Sequence, residues 1–123
     1  MLTFLPMLIF LLAIQIVLGL VFLMAGMMKL LMQDKARSMT PALREYSPAF
    51  VSFIGLAEVL GALGLTLPVW FNVMPILTPL AAMGLGVIML GAIYTHLKLK
   101  EYPNAGTALL FLIGLLYIAL RLW

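Results

Sequence analysis

The chain has 123 residues with a net charge of +3, and 66% of them are hydrophobic while only 9% are charged. Soluble domains carry about 25% charged residues, so this chain lacks the polar side chains that a water-facing surface requires. It has no cysteine, which excludes disulfides, thiol redox chemistry and thiolate metal sites. The composition therefore predicts an integral membrane protein whose main solvent is the lipid bilayer.

Four apolar segments follow one another along the chain, each near the ~20 residues that cross a hydrocarbon core of ~30 Å. They are too long for transmembrane β-strands and lack the alternation of such strands. We predict an all-α membrane protein, with residues 1–123 forming a single four-transmembrane-helix bundle. The predicted spans are residues 7–31, 49–67, 74–97 and 105–123.

Prolines mark most of the predicted boundaries. Pro48 and Pro68 frame the second span, and Pro103 precedes the fourth. Pro75 and Pro79 fall in the first turns of the third span, where a missing N–H matters least.

Residues 33–48 form the one long predicted loop. Within it, Thr40 to Tyr46 is predicted as a short interfacial helix, with Thr40 as the N-cap and Pro41 at the first helical position. Ser47 and Pro48 are expected to end it.

Basic residues are concentrated in or beside the first and third loops, and only Arg121 lies at the opposite end. By the positive-inside rule these loops are cytoplasmic and both termini are extracytoplasmic, in a bacterial inner (plasma) membrane. The rule also accounts for the positive charge without a nucleic-acid partner. The basic residues of the two loops are Lys29, Lys35, Arg37, Arg44, Lys98 and Lys100.

Glu58 is the only charged residue in the second span. A carboxyl group halfway along a membrane-spanning segment costs several kcal/mol unless it is paired, protonated or hydrated, so it is a candidate functional residue. The alternative is a protonated or paired carboxyl with a purely structural role. Gly55 and Gly61 share its helix face, which leaves space beside the carboxyl group.

Lys29 and His96 are predicted to approach Glu58 from neighbouring spans. Helical side chains lean toward the N-terminus of their helix. The second span runs opposite to the first and third, so the side chains lean toward one another across ~9 Å of depth. A polar pocket in the cytoplasmic half of the bundle is the expected result. Two alternatives stay open: Lys29 extends to the headgroups, or His96 is simply interfacial.

Further pocket candidates are Gln15 on the first span and Tyr94 near the end of the third. No pattern of metal ligands is present in the sequence. Small residues allow helices to approach closely in a membrane. The glycines predicted to mediate helix packing are Gly19, Gly26, Gly55, Gly61, Gly84 and Gly91.

Three segments resemble the DoxX-like membrane proteins. Residues 18–30 contain Gly26-x-x-Lys29-Leu and are similar to the first helix of that family. Residues 53–68 contain Gly55-x-x-Glu58-x-x-Gly61 before a proline, as its second helix does. Residues 90–96, which end at His96, are similar to the end of its third helix. The pattern also resembles the first two helices of the novel acetylcholine receptor chaperone of animals.

The resemblance implies a four-helix membrane protein with a polar cluster at Lys29, Glu58 and His96, but no single activity. Some relatives are subunits of thiosulfate:quinone oxidoreductase or partners of redox enzymes, and the animal relative assists receptor assembly. We expect a membrane helper or accessory subunit that binds a lipid-like or quinone-like molecule, or supports a membrane protein partner or a homodimer. The alternatives are a small proton-coupled transporter that uses Glu58 and a quinone-linked oxidoreductase subunit. No autonomous catalytic constellation and no cofactor site are evident, and the cofactor compatible with the resemblance is a quinone.

Overall fold

A computed structural model describes residues 4–123. It confirms the all-α class and the four spans, since four of its helices are long and apolar enough to cross a membrane. Within the described residues there is no strand. In chain order the elements are α1 (Phe4–Leu31), α2 (Gln33–Met39), a 3₁₀ helix (Pro41–Glu45), α3 (Pro48–Trp70), α4 (Leu77–Lys98) and α5 (Tyr102–Leu122).

The four long helices form a ring around one apolar core. Helix α1 packs mainly on α3, α3 on α4, and α4 on α5, while a looser contact between α1 and α5 closes the ring. The largest fully buried apolar side chains, which include Phe22, Leu65, Leu85, Leu115 and Ile118, come from all four helices. Most large apolar side chains that are exposed point outward along the spans, as expected for a surface in contact with lipid.

Helices α1 and α3 cross in close backbone contact at two glycines. A Cβ atom added at Gly26 would lie 2.6 Å from the carbonyl oxygen of Gly55, and one added at Gly55 would lie 2.9 Å from the carbonyl oxygen of Gly26. Any side chain at either position would push the helices apart. Because this crossing is one turn from both Lys29 and Glu58, it also sets the distance between those two side chains.

Helices α3 and α4 are joined by a second set of small residues. A Cβ atom at Gly61 would lie 2.7 Å from the Leu85 side chain, and one at Gly64 would lie 2.8 Å from the Cβ atom of Ala81. Gly64 was not among the glycines singled out from the sequence.

The packing role predicted for two glycines of α4 is wrong. A Cβ atom at Gly84 or Gly91 would have no heavy atom within 4 Å, because both positions lie on the exposed edge of α4. Gly19 on α1 makes only ordinary van der Waals contacts, at 3.6 Å from Thr66.

Most predicted span boundaries differ from the structure, by no more than three residues. Helix α5 begins at Tyr102, so Pro103 lies in its first turn and does not precede it. Helix α3 continues past Pro68 to Trp70, and α4 begins at Leu77, so that Pro75 precedes the helix. Pro68 lies in the last turn of α3, and the Val69 N–H donates a hydrogen bond to the Thr78 hydroxyl at 3.3 Å. A side chain of the next span thus provides an acceptor where proline disturbs the helical pattern.

The predicted interfacial loop is more helical than expected. Residues 33–39 form α2, and the residues predicted as a helix after Thr40 form the 3₁₀ helix. Thr40 occupies the N-cap position, but its side chain makes no capping hydrogen bond. The side-chain amide of Gln33 instead anchors the segment, donating to the Pro48 carbonyl at 2.9 Å and to the Ser52 hydroxyl at 3.0 Å.

Candidate functional site

A cavity of about 580 Å³, here called the polar cavity, lies among the four spans. It occupies the half of the bundle nearest the basic residues of the two loops, here called the basic end. Residues 39–46 contribute to its wall at that end. Its polar lining residues include Lys29, Tyr46, Glu58, Thr95, His96 and Thr107, while most of the remaining lining is apolar.

The structure brings Lys29 and Glu58 together in an ion pair. Lys29 Nζ lies 2.7 Å from Glu58 Oε1, with the Glu58 side chain 3% exposed and the Lys29 side chain 14% exposed. Apart from this contact, no polar group of the described residues hydrogen-bonds to Glu58 Oε1. Lys29 therefore points into the bundle and does not extend to the headgroups.

The glycine crossing explains how this pair forms. A Cβ atom at Gly55 would lie 2.8 Å from the Cβ atom of Lys29, so the lysine side chain starts directly over a glycine of α3. Glu58 is three residues further along α3 and thus on the same face. The absence of a side chain at Gly55 lets the lysine lie along α3 as far as the carboxyl group.

A hydrogen bond between Tyr46 and Thr95 links the loop segment to α4. The Thr95 hydroxyl donates to the Gly91 carbonyl at 2.9 Å. Since a hydroxyl group has one proton, the Tyr46 hydroxyl is the donor to Thr95. Neither residue was predicted from the sequence as a site candidate, although Thr95 lies one turn after Gly91 in an apolar helix, which was a usable signal.

His96 lines the same cavity but pairs with a different carboxyl group from the one expected. Its Nδ1 lies 2.8 Å from Oε1 of Glu101, which follows α4 in the chain. Lys29, Glu58 and His96 thus share one cavity, and only the first two are in direct contact. Glu101 was missed because the turn after α4, which brings it back toward His96, is not evident from periodicity.

Gln15 does not line the polar cavity. It is 1% exposed, and its side-chain amide donates to the Leu65 carbonyl at 2.8 Å. This hydrogen bond connects α1 to α3 in the half of the bundle away from the basic end. Its observed role is structural, as expected for a polar side chain buried between spans.

Tyr94 also lies outside the polar cavity, contrary to the prediction. Its side chain is 69% exposed and shares the outward face of α4 with Leu90 and Leu97. Thr95, the next residue, faces inward. Successive residues of an α-helix are rotated by about 100° around its axis. A residue next to one that faces the cavity can therefore face the lipid.

The fold and the cavity define an integral membrane protein of four spanning helices, with a polar cavity among them. A family model described as the DoxX-like family matches residues 13–119 of this chain. This is most of its length, so the protein belongs to the DoxX-like family. No curated protein and no solved structure gives a significant match to the chain.

Proposed function

We propose that this protein is a membrane binding subunit or helper that holds the polar head of an amphiphile, a lipid or a quinone, in the polar cavity. The observation that carries the proposal is a cavity of about 580 Å³ with a buried ion pair in an otherwise mostly apolar wall. Sites for small organic ligands are typically apolar concavities of ~300–1,000 Å³ with a few convergent polar groups.

Lys29 is the main group proposed to contact the ligand head. An ammonium group has three N–H donors, and the contact with Glu58 occupies one of them. Two other cavity hydroxyl groups have partners of their own, since Tyr46 is bound to Thr95 and the Thr107 hydroxyl donates to the Pro103 carbonyl at 3.1 Å. The acceptors that suit Lys29 are the carbonyl oxygen of a quinone and the ester or phosphate oxygen of a lipid.

Glu58 is proposed to position Lys29. Lys29 is two residues from the end of α1, where a lysine without a partner would extend to the membrane surface. The buried carboxylate keeps the ammonium group inside the bundle. The same pairing disfavours the proton-coupled exporter of lipophilic cations, because Lys29 would repel a cationic substrate.

The location and orientation belong to the same proposal. We place the protein in a bacterial inner membrane, with the basic end cytoplasmic and both termini outside. The support is the distribution of basic residues, six in or beside the two loops of the basic end against Arg121 at the other. As a subunit, the protein would present its amphiphile to a membrane enzyme.

The proposal can be tested by identifying the molecules that leave the membrane with the protein. The protein is extracted directly into lipid nanodiscs, and lipids and quinones are quantified by mass spectrometry per mole of protein. The cavity variant combines Lys29→Met with Glu58→Gln. The matched control combines Asp34→Asn with Lys35→Met, which also removes one charge of each sign, at two exposed positions of α2.

One amphiphile should be enriched over the bulk membrane in the native protein and the control. Its enrichment should fall about tenfold in the cavity variant, because a hydrogen bond from a charged donor contributes ~1.5–3 kcal/mol. Equal enrichment in the cavity variant, or no enriched amphiphile in the native protein, would refute the proposal.

A further inference from the structure

The polar cavity reaches the outer surface of the bundle between α3 and α4. Phe53 on α3 and Val87 on α4 both line the cavity, although they are 64% and 68% exposed. Gly91, one turn beyond Val87, also lines the cavity, and a Cβ atom there would meet no heavy atom within 4 Å. We call the gap bounded by Phe53, Val87 and Gly91 the lateral opening.

The lateral opening lies at the depth of the lipid chains. Gly91 is seven residues from the end of α4 at Lys98, and Val87 is eleven residues from it. At 1.5 Å rise per residue these positions are about 10 and 16 Å from the helix end. The helix is 22 residues long, so the opening is well inside the membrane-spanning part of α4.

The end of the polar cavity nearest the basic end is partly covered by residues 39–46. Ala42 is buried against the bundle, and the hydrogen bond from Tyr46 to Thr95 fastens the segment to α4. The bonds from Gln33 to Pro48 and Ser52 hold the start of α2, which precedes this segment, against α3. This segment covers part of the route from water, whereas a ligand in the bilayer meets the lateral opening.

We infer that the polar cavity is loaded sideways from the bilayer through the lateral opening, and that its ligand is a membrane-dissolved amphiphile whose hydrocarbon tail lies in that opening. The inference rests on the proposed function and adds the route of entry and the site of the tail. The head reaches Lys29 while the tail stays in an apolar environment, so no methylene group has to enter water. A tailless molecule would leave the lateral opening unused.

The test narrows the lateral opening without touching the ion pair. Gly91→Leu and Val87→Phe add bulk inside the opening. Gly84→Leu and Leu90→Phe are the matched controls, since both positions lie on exposed parts of α4 that do not line the cavity. Gly84 also matches Gly91 in having open space around its Cβ position. Two independent opening variants are used, so that the test remains valid if one of them fails to fold.

Binding is measured in two arms, one for each source of an amphiphile. For quinones, a reporter protein carries Trp70→Phe, Trp123→Phe and Phe111→Trp, which places a single tryptophan in the cavity wall. Quenching of this tryptophan is titrated in nanodiscs with decylubiquinone and with its tailless benzoquinone head. For lipids, phospholipid retained through detergent exchange is quantified by mass spectrometry.

In the arm that shows binding, both opening variants should weaken binding of the tailed molecule by at least about tenfold, because the larger side chain displaces several methylene groups of the tail from the lateral opening. The matched controls should bind as the parent protein does, and the tailless quinone should bind the opening variants, their controls and the parent protein equally. If the opening variants match their controls while Lys29→Met with Glu58→Gln still weakens binding, lateral loading is wrong and the proposed function stands. If the parent protein binds neither probe, both proposals fail.

Discussion

Replacing only one of Lys29 and Glu58 by a neutral residue should destabilise the protein more than replacing both. The 2.7 Å contact lies in the bundle interior, with Glu58 nearly inaccessible. Removing one member of a buried ion pair typically costs ~3–5 kcal/mol, because it leaves a charge without compensation. Replacing both members by neutral groups of similar size is often neutral or stabilising.

The two single changes should not be equivalent. Lys29→Met leaves the Glu58 carboxylate without a cationic partner in the interior, so the loss should reach about 3–5 kcal/mol. Glu58→Gln leaves an ammonium group near the end of α1 that can turn toward the basic end, and its cost should be about 1–3 kcal/mol. The double variant should fall within about 1 kcal/mol of the native protein.

The measurement is a double-mutant cycle on reversible unfolding in detergent micelles, followed by circular dichroism as denaturing detergent is added. A coupling energy of at least ~2 kcal/mol is expected between the two positions. The control cycle at Asp34 and Lys35, which are adjacent but exposed, should give no more than ~0.5 kcal/mol. Additive losses at Lys29 and Glu58 within ~0.5 kcal/mol would refute the reasoning.

Three further changes test the fold around the site. Gly26→Ala places a Cβ atom 2.6 Å from a backbone oxygen of α3 and should lower the free energy of unfolding by about 1–3 kcal/mol. Gly84→Ala is the control: its Cβ atom has open space, and the free energy of unfolding should change by less than ~0.5 kcal/mol. Equal effects of the two changes would contradict the close crossing of α1 and α3. Gln15→Leu should lower the free energy of unfolding by about 1 kcal/mol, because its hydrogen bond to Leu65 is lost, and should leave amphiphile enrichment unchanged. A reduced enrichment would show that Gln15 takes part in binding. Tyr46→Phe should accelerate amide hydrogen exchange in residues 42–46 about fivefold, since a hydrogen bond contributes ~1 kcal/mol. An unchanged rate would show that the hydroxyl group does not hold the segment against α4.

The number and type of the membrane spans could be predicted because each depends on a local property. Transfer into lipid is decided within a segment of ~20 residues, so the four apolar runs are sufficient to place the spans. Their ends were less predictable. Pro68 was interpreted as a boundary, yet α3 continues for two residues beyond it, with Thr78 of the next span providing an acceptor near the break.

The site was predictable where one helix face determines it. Glu58 stood out because an ionisable group is rare in an apolar run, and Gly55 indicated a close approach on the same face. The partner of His96 was not predictable, because it depends on the path of a turn after α4. Tyr94 was assigned to the wrong side of its helix, since neighbouring residues of α4 face opposite environments.

The sequence by itself determined that this is a four-span membrane protein with a carboxyl group in the interior that must be paired, protonated or hydrated. Both follow from the free energy of placing each residue in lipid, which is nearly independent of the other spans. Only the tertiary structure decided that the partner is Lys29, that Gln15 and Tyr94 lie outside the cavity, and that the cavity opens between α3 and α4. These features depend on how far apart the helices lie and how each is rotated, which the contacts at Gly26, Gly55 and Gly61 set jointly.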